Sequence, residues 1–476
     1  MPLSDILDSL PDDEGAYLVG GTVRDILIDR PPMDIDIAVA RDARRFAERL
    51  AKSKGGRLVV MGSPGKTVYR VAAADRLFDI TPLAGDSLEK DLGRRDFTIN
   101  AMALALRSRT LVDLHGGQRD LRAGTVRMVH PSAFHRDPIR LLRAYRCAAN
   151  LNFKIDSFTA EMITRQARLI SEAAAERIRE EFFKMLQTPR CHPYLKEMAA
   201  SGLVFHIFPE LKPLGACRQN PAVHRFDAWT HTLAALDELE AILATPPIGA
   251  AARWVQFERQ TAAHLKTALL LHDIGKPATR SVDPGGAIHF YGHEKTGASM
   301  AARISQRLRF SARERAFIVF IIGNHLRPLH LFNQWIRGGL SSKAQTRFFM
   351  QCADLTPPLL LHALADMRAK GGERSAGRAF ARFVASQLEA FATIFTPRKA
   401  APPLITGHDL ITALQWSPSP VFKAGLDFIA EEQLTGGIQT REAALAAARA
   451  FAARREAETG ERPFPNKNGK GHWGPK

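Results

Sequence analysis

Two aspartates stand on alternate positions of an apolar run in "LVGGTVRDILIDRPPMDIDIAV", residues 18–39. Asp34 and Asp36, read on a strand with Met33, Ile35, Ile37 and Val39, project from one face and lie roughly 6.5 to 7 Å apart along the chain. Carboxylates so placed can jointly hold one or two Mg²⁺ ions about 3.5 to 4 Å apart, the arrangement used in two-metal nucleotidyl transfer. Gly20 and Gly21 let backbone N–H groups approach a triphosphate, and the helix that follows turns its positive end toward the same place. Arg24 adds a fork of donors. The plain alternative is an exposed strand end with two solvated acids. The order strand, Gly-Gly turn, helix, strand favours a nucleotide site.

Two further groupings carry chemistry. In "HRDPIRLLRAYR" the spacing predicts Asp137 and Arg140 on one face of a helix, an acceptor beside donors. Cytosine and adenine each show an exocyclic amino donor beside a ring-nitrogen acceptor, whereas uracil and guanine show the reverse. A surface ion pair is the competing reading. Arg143 and Arg146 extend a basic face for which phosphate contact and simple solvation are equally good readings. Farther on, "HRFDAWTHTL", "LLLHDIGKP", "HFYGHEKTG" and "IIGNHL" supply His231, His272, Asp273, His293 and His325. Imidazoles with an adjacent carboxylate, spread over several helices, form a ligand set for a divalent transition metal.

The elements that must position these residues change character along the chain. The runs "AYLVG", "MDIDIAVA", "GRLVVMG", "KTVYRVAA" and "RLFDIT" read as strands, and "RDARRFAERLAKSK" has the period of an amphipathic helix. From about Ser132 strand signals stop, and helices with Arg-rich faces follow, beginning "DPIRLLRAYRCAANLNF", "SFTAEMITRQARLISEA" and "AERIREEFFKMLQ". A break at "LKPLGACRQNPAVHRF" opens the His-rich region, and "TPRKAAPPL" precedes a last helical segment. The polar, Gly- and Lys-rich end "ERPFPNKNGKGHWGPK" reads as disordered. The fold class is therefore α+β: a small mixed β-sheet head followed by all-α domains.

Composition narrows the partners. The 476 residues carry 66 Lys and Arg against 49 acids, a net charge of +17, which favours a polyanion: nucleic acid first, an anionic membrane surface second. No apolar run approaches a membrane span and the acidic N-terminus is unlike a signal peptide, so a cytoplasmic protein is expected. Cys147, Cys191, Cys217 and Cys352 are far apart and read as core residues.

The motifs "LVGGTVRDILIDRPPMDIDIAV", "DLGRRDFTINAMAL", "DLHGGQRDL", "DPIRLLRAYR" and "AERIREEF" occur in an order that resembles the class II tRNA nucleotidyltransferase (CCA-adding or CC-adding) and bacterial poly(A) polymerase family. The resemblance covers roughly residues 15 to 187. It implies a nucleotidyltransferase head at 1–127 and a helical neck at 128–190, where side chains replace a template. It implies Asp34 and Asp36 as the catalytic Mg²⁺ ligands, Asp79 as an additional acid, and Arg94, Arg95, Asp96 and Asn100 as residues holding ribose and phosphates. One departure is Arg136, where the family carries an acid. The His-rich region, 191–370, resembles HD-domain metal-dependent phosphohydrolases, with Asp366 in "LADMRAK" as the late aspartate. Residues 371–458 resemble the part that grips the tRNA elbow, ahead of a basic tail at 459–476. Implied partners are tRNA, CTP and ATP, with no membrane. The implied activity is addition of C, and of A as well in a full CCA enzyme, to tRNA 3′ ends, alongside phosphohydrolase activity at the HD site. Poly(A) polymerase is the alternative, and an inactive head serving as an RNA-binding module is the alternative of another class. Family members that add the full CCA carry a longer segment where this chain has only "PLAGDSLEK", so CC addition is expected.

Overall fold

The apolar run before Gly20 becomes β1 (Ala16–Val19), an interior strand of a sheet, and the chain then turns sharply into helix Gly21–Leu27. The computed structural model describes residues 7–8, 10–32, 34–62, 67–73, 76–85, 87–220, 226–245, 258–371 and 374–459. Beside β1 runs β2 (Asp34–Val39), followed by β3 (Arg57–Met61), β4 (Val68–Ala72), β5 (Leu77–Pro82), β6 (Met102–Ala105) and β7 (Leu111–Asp113). They form one sheet in the order β3-β4-β5-β2-β1-β6-β7. Only β2 and β5 pair in parallel, in a register that sets Asp36 beside Asp79. The two core positions between and beyond the aspartates, Ile35 and Ile37, are buried. Helix Ala43–Lys54 packs Phe46, Ala47 and Leu50 inward, as its period requires.

Strands β6 and β7 were not legible as strands: "MALA" has weak strand preference and takes its place by pairing with β1 in a buried centre. Strand structure also continues past Ser132. Lys154–Ile155 pairs with Thr125–Val126, and Ser281–Val282 forms a short hairpin with Ile288–His289.

In the neck, a short helix (Ala133–Arg136) ends at Asp137, whose backbone is extended (φ −155°, ψ 99°), and a new helix spans Arg140–Leu151. Asp137 and Arg140 therefore do not share a helix face. Pro138 is the reason, because its ring excludes the preceding residue from the helical region. Helix Ala175–Leu186 packs beside Arg140–Leu151 and buries Ile178, Phe182 and Met185.

By internal contacts the chain forms two units, one of residues 1–221, 226–240 and 258–322, the other of 222–225, 241–257 and 323–476. The first also contains helices Arg259–Leu271 and His293–Arg307 and, through Glu240, most of helix Ala228–Ala244. The second is helical, and its C-terminal core gathers Leu410, Leu414, Ile429 and Ala448 around Trp416. Within "TPRKAAPPL", Thr396–Ala400 is helical, so the break falls later than that segment suggested. Of the basic tail, Thr459 ends helix Arg441–Thr459 and residues 460–476 lie outside the described residues. All four cysteines are buried and free. Among the described residues no helix is long and apolar enough to cross a membrane.

Candidate active site

The head site is assembled at the place where β1 stops. Its last partner on β2 pairs Leu18 with Ile37, so the backbone at Asp34–Asp36 needs another neighbour on that side. Thr22, buried in the first turn of helix Gly21–Leu27, supplies it: its Oγ1 accepts from the Asp36 amide at 2.8 Å and donates to the Asp34 carbonyl at 3.3 Å. Gly20 sits at φ +67°, and a Cβ there would stand 2.9 Å from the Arg95 guanidinium and 3.3 Å from Asp36 Oδ2. Its glycine is thus required twice, by conformation and by close approach.

Three carboxylates crowd this corner. Asp36 is pushed up to about 6 by burial, with Arg95 opposing and Asp79 and Asp34 adding to the rise. A carboxylate held near others in a poorly solvated place gains from a hard cation, so oxygen donors of this kind fit Mg²⁺. Asp79 is engaged by Arg70 from β4, which donates Nε to Oδ1 and NH2 to Oδ2, both at 2.7 Å. Arg70 is a site neighbour that sequence reasoning missed. Only the antiparallel β4–β5 register, which sets Arg70 opposite Asp79, could have shown it.

The segment Arg94–Asn100 is wired to the neck. Asp96 is buried and accepts Nε of Arg143 at 2.8 Å, Nδ2 of Asn100 at 2.9 Å and the Phe97 amide at 2.8 Å. Burial alone would raise it, yet Arg143 and these hydrogen bonds hold its carboxyl well below the usual carboxylate range. Asn100 Oδ1 in turn accepts from Arg24 NH1 at 2.8 Å, and Arg24 also pairs with Asp25 at 2.7 Å. Arg95 is braced by Asp91 at 2.8 Å, and the same Asp91 accepts the Ala84 amide at 3.1 Å. Asp91 was also missed, although its i,i+4 spacing from Arg95 was visible.

Of the basic face, Arg143 and Arg146 are spoken for by acids: Arg143 by Asp96, and Arg146 by Glu181 of helix Ala175–Leu186 at 2.5 Å. Asp137 pairs with Arg177 through two bonds of 2.9 and 2.8 Å. Arg140 instead donates to the carbonyls of Arg95 at 3.3 Å and Arg94 at 2.6 Å. The expected Asp137–Arg140 pair is therefore replaced by two separate anchorings. Arg94 caps helix Leu88–Gly93, and Arg136 NH1 lies 3.5 Å from the Gly93 carbonyl. A Cβ on Gly21 would touch Arg24 at 3.4 Å.

The expected HD ligands are supplied by segments of both units. In the first, His272 Nε2 stands 3.2 Å from Asp273 Oδ2 and His293 Nε2 stands 3.6 Å from Asp273 Oδ1. The His231 and His272 rings are 5.7 Å apart. Each flanking imidazole places Nδ1 near a backbone carbonyl, His272 at 2.7 Å from Leu269 and His293 at 2.8 Å from Phe290. A proton on Nδ1 satisfies those carbonyls and leaves the Nε2 lone pairs facing the carboxylate, the orientation that metal-ligating histidines adopt. Asp273 is fully buried, which would raise it, but the Lys276 ammonium 2.7 Å away holds it below the ordinary range. This donor set fits a divalent transition metal. Gly275 makes the close packing possible, since a Cβ there would lie 2.2 Å from the His293 carbonyl. His325 and Asp366 belong to the second unit, where His325 is 5.8 Å from the His362 ring and Asp366 pairs with Lys370 at 3.2 Å. His362, one helical turn before Asp366, was missed.

A mixed sheet with a glycine-bordered pair of aspartates, feeding a helical neck through Asp96 and Arg143, defines a nucleotidyltransferase head. Residues 16–127 match the poly A polymerase head domain, 152–214 the probable RNA and SrmB-binding site of polymerase A, and 229–366 the HD domain. Over 455 residues the chain is 33% identical to a CC-adding tRNA nucleotidyltransferase of Thermus thermophilus, covering 94% of this chain and 96% of that protein. It is 31% identical to an A-adding tRNA nucleotidyltransferase of Deinococcus radiodurans, covering 94% and 97%. The chain belongs to the tRNA nucleotidyltransferase and poly(A) polymerase family. A solved CCA-adding enzyme of Thermotoga maritima, complexed with tRNA-CCA, shares the fold with a TM-score of 0.60 at 20% identity, covering 94% of this chain and 98% of that one.

Proposed function

We propose that the protein adds CMP to tRNA 3′ ends from CTP, without a nucleic-acid template, and stops at CC. The transfer reading is carried by Asp34 and Asp36 beside Gly20 and Arg95. Bound Mg²⁺ would activate the attacking hydroxyl and neutralise the departing pyrophosphate. Asp34 and Asp36 hold the metal side of the pocket, with Asp79 as a third acid once Arg70 yields. Gly20, Gly21 and Arg24 receive the triphosphate, and Arg94, Arg95, Asp96 and Asn100 border ribose and phosphates. Asp137 and Arg140 read the base edge, which requires Arg140 to leave its two carbonyls. Arg143 and Arg146 act through Asp96 and Glu181 rather than on phosphate.

The CC limit rests on the connector after β5. The strand runs through Pro82 and the next helix begins at Leu88, so even less chain lies between them than the nine-residue segment "PLAGDSLEK". Ala84 is tied back to Asp91, and a Cβ on Gly85 would meet Lys90 at 3.2 Å. A connector this short and anchored has little reach for a lever that reshapes the pocket from C to A. The poly(A) polymerase alternative is less well supported, because the relatives matched over 94% of the chain are CC- and A-adding enzymes. The carboxylate pair speaks against an inactive head. The test is incubation with tRNA lacking its 3′ end, CTP and ATP, followed by sequencing of product ends: CC termini support the proposal, and CCA termini overturn the connector argument while leaving the transfer reading standing.

His231, His272, Asp273 and His293 support a second proposal, a metal-dependent phosphohydrolase centre acting on phosphoesters, RNA 3′ ends among them. Release of phosphate from a 3′-phosphorylated or 2′,3′-cyclic RNA, abolished by chelation, tests it.

A further inference from the structure

The second unit contains a cavity of about 480 Å³ that none of the residues assigned above lines. Helix Arg327–Ile336 forms one wall, and Ser341 with helix Ser342–Cys352 forms the other. Arg327, Lys343 and Arg347 converge on it with His330, and no carboxylate is among its lining residues. Three cations facing one concavity repel each other, and a site of this size and polarity suits a small anionic group.

Each cation is fixed by a partner that leaves donors unspent. Lys343 Nζ is 2.5 Å from Glu432 Oε1, and Arg347 uses Nε to reach Glu431 Oε1 at 2.5 Å. Both acids lie on helix Pro420–Thr435. Arg327 lies over the Phe348 ring, 5.6 Å from its centroid, and donates to Gln351 Oε1. An ammonium carries three donors and a guanidinium five, so Lys343 and Arg347 each keep several free of their acids. The side chains of Lys343 and Arg347 remain 45% and 55% exposed. They are held in place without being covered, which lowers the ordering cost of binding. The first turn of helix Ser342–Cys352, capped by Ser341 on the Ala344 amide at 3.1 Å, adds the positive end of a helix to the same wall.

We propose that this cavity binds a phosphate group, carried either by an RNA strand or by a free nucleotide. Arg347 and Lys343 supply the charge, Arg327 closes the side against Phe348, and Glu431 and Glu432 act as built-in competitors that an arriving phosphate displaces from part of each cation. The inference rests on the cavity and not on the transfer reading. Because binding is measured without nucleotide addition, an inactive head leaves the test intact.

The test uses the full chain and three probes: a tRNA transcript, CTP with its binding stoichiometry counted, and inorganic phosphate. Arg347→Gln and Lys343→Gln are compared with Glu431→Gln, which breaks the same ion pair but keeps the cation, and circular dichroism confirms that each variant is folded. Removing a cation should weaken one of the probes several-fold and, for tRNA, lower the slope of log affinity against log salt by about 0.7 per lost contact. Glu431→Gln should leave affinity equal or tighter. Weakening confined to tRNA assigns the site to a strand phosphate; loss of a second equivalent of CTP, or of phosphate binding, assigns it to a free nucleotide. If Glu431→Gln weakens binding as much as Arg347→Gln does, the pair is only a brace for helix Pro420–Thr435 and the proposal fails. It fails equally if no probe responds to either cation's removal.

Discussion

Thr22→Val removes one oxygen and keeps the shape, so it isolates what the hydroxyl does for the carboxylate pair. Two bonds are lost, the one from the Asp36 amide at 2.8 Å and the longer one to the Asp34 carbonyl at 3.3 Å. Thr22 is 1% exposed, so water cannot replace its hydroxyl without local opening. A buried amide left without a partner costs about 1 to 3 kcal/mol, and the longer bond adds little. If the cost is met by fraying of Asp34–Asp36 away from the helix, the metal-competent fraction falls, and the apparent Mg²⁺ affinity falls by about 5- to 150-fold. The assay is the Mg²⁺ dependence of single-turnover CMP addition, with denaturant unfolding measured in parallel. Rate should recover at high Mg²⁺, and Thr22→Ser, which keeps the hydroxyl, should restore the wild-type dependence. An unchanged Mg²⁺ half-saturation alongside a lowered unfolding midpoint would show that Thr22 merely stabilises the head, and would refute its role in positioning the metal ligands.

Asp36, pushed up to about 6, must lose its proton to hold a cation, so Mg²⁺ binding should weaken as pH falls through about 6 and should release protons there; calorimetry in buffers of different ionisation enthalpy reads both, and Asp36→Asn should abolish addition while sparing tRNA binding. Asp96 is held below the usual carboxylate range, so its stabilisation is present at neutral pH and is lost only as pH falls beneath that range. Arg143→Met leaves that acid buried and unpaired, which should cost about 3 to 5 kcal/mol and move the acid limb of the stability curve to higher pH, as pH-dependent denaturation will show. Asp137→Ala should relax the choice of C over U by about 1 to 3 kcal/mol in competition assays, and Arg177→Met should shift it in the same direction because Arg177 holds that carboxylate. His272→Ala should remove bound transition metal, measured by elemental analysis of the purified protein, while CMP incorporation persists.

Much of the head was legible because its information is local. Alternation with period two placed Asp34 and Asp36 on one side of a strand, and the glycine pair marked the turn into a helix; both are properties of neighbouring residues. The spacing of His272, Asp273, Gly275 and Lys276 likewise lies within one turn, and Gly275 proved to be the point where backbone meets backbone. What failed, or was missed, depended on partners distant in sequence. Asp137 and Arg140 looked like a pair by spacing alone, but Pro138 breaks the helix between them and each finds a remote anchor, Asp137 at Arg177 and Arg140 at the carbonyls of Arg94 and Arg95. Asp79 was expected as an additional acid, and only the sheet register showed Arg70 set opposite it. Arg143 and Arg146 could be solvated or phosphate-binding from sequence; burial beside Asp96 and Glu181 turned them inward. Residue type and short-range period thus determined which groups could do chemistry. The tertiary fold decided which charges meet, because an ion pair is chosen by proximity and shielding from water, and neither is a property of spacing along the chain.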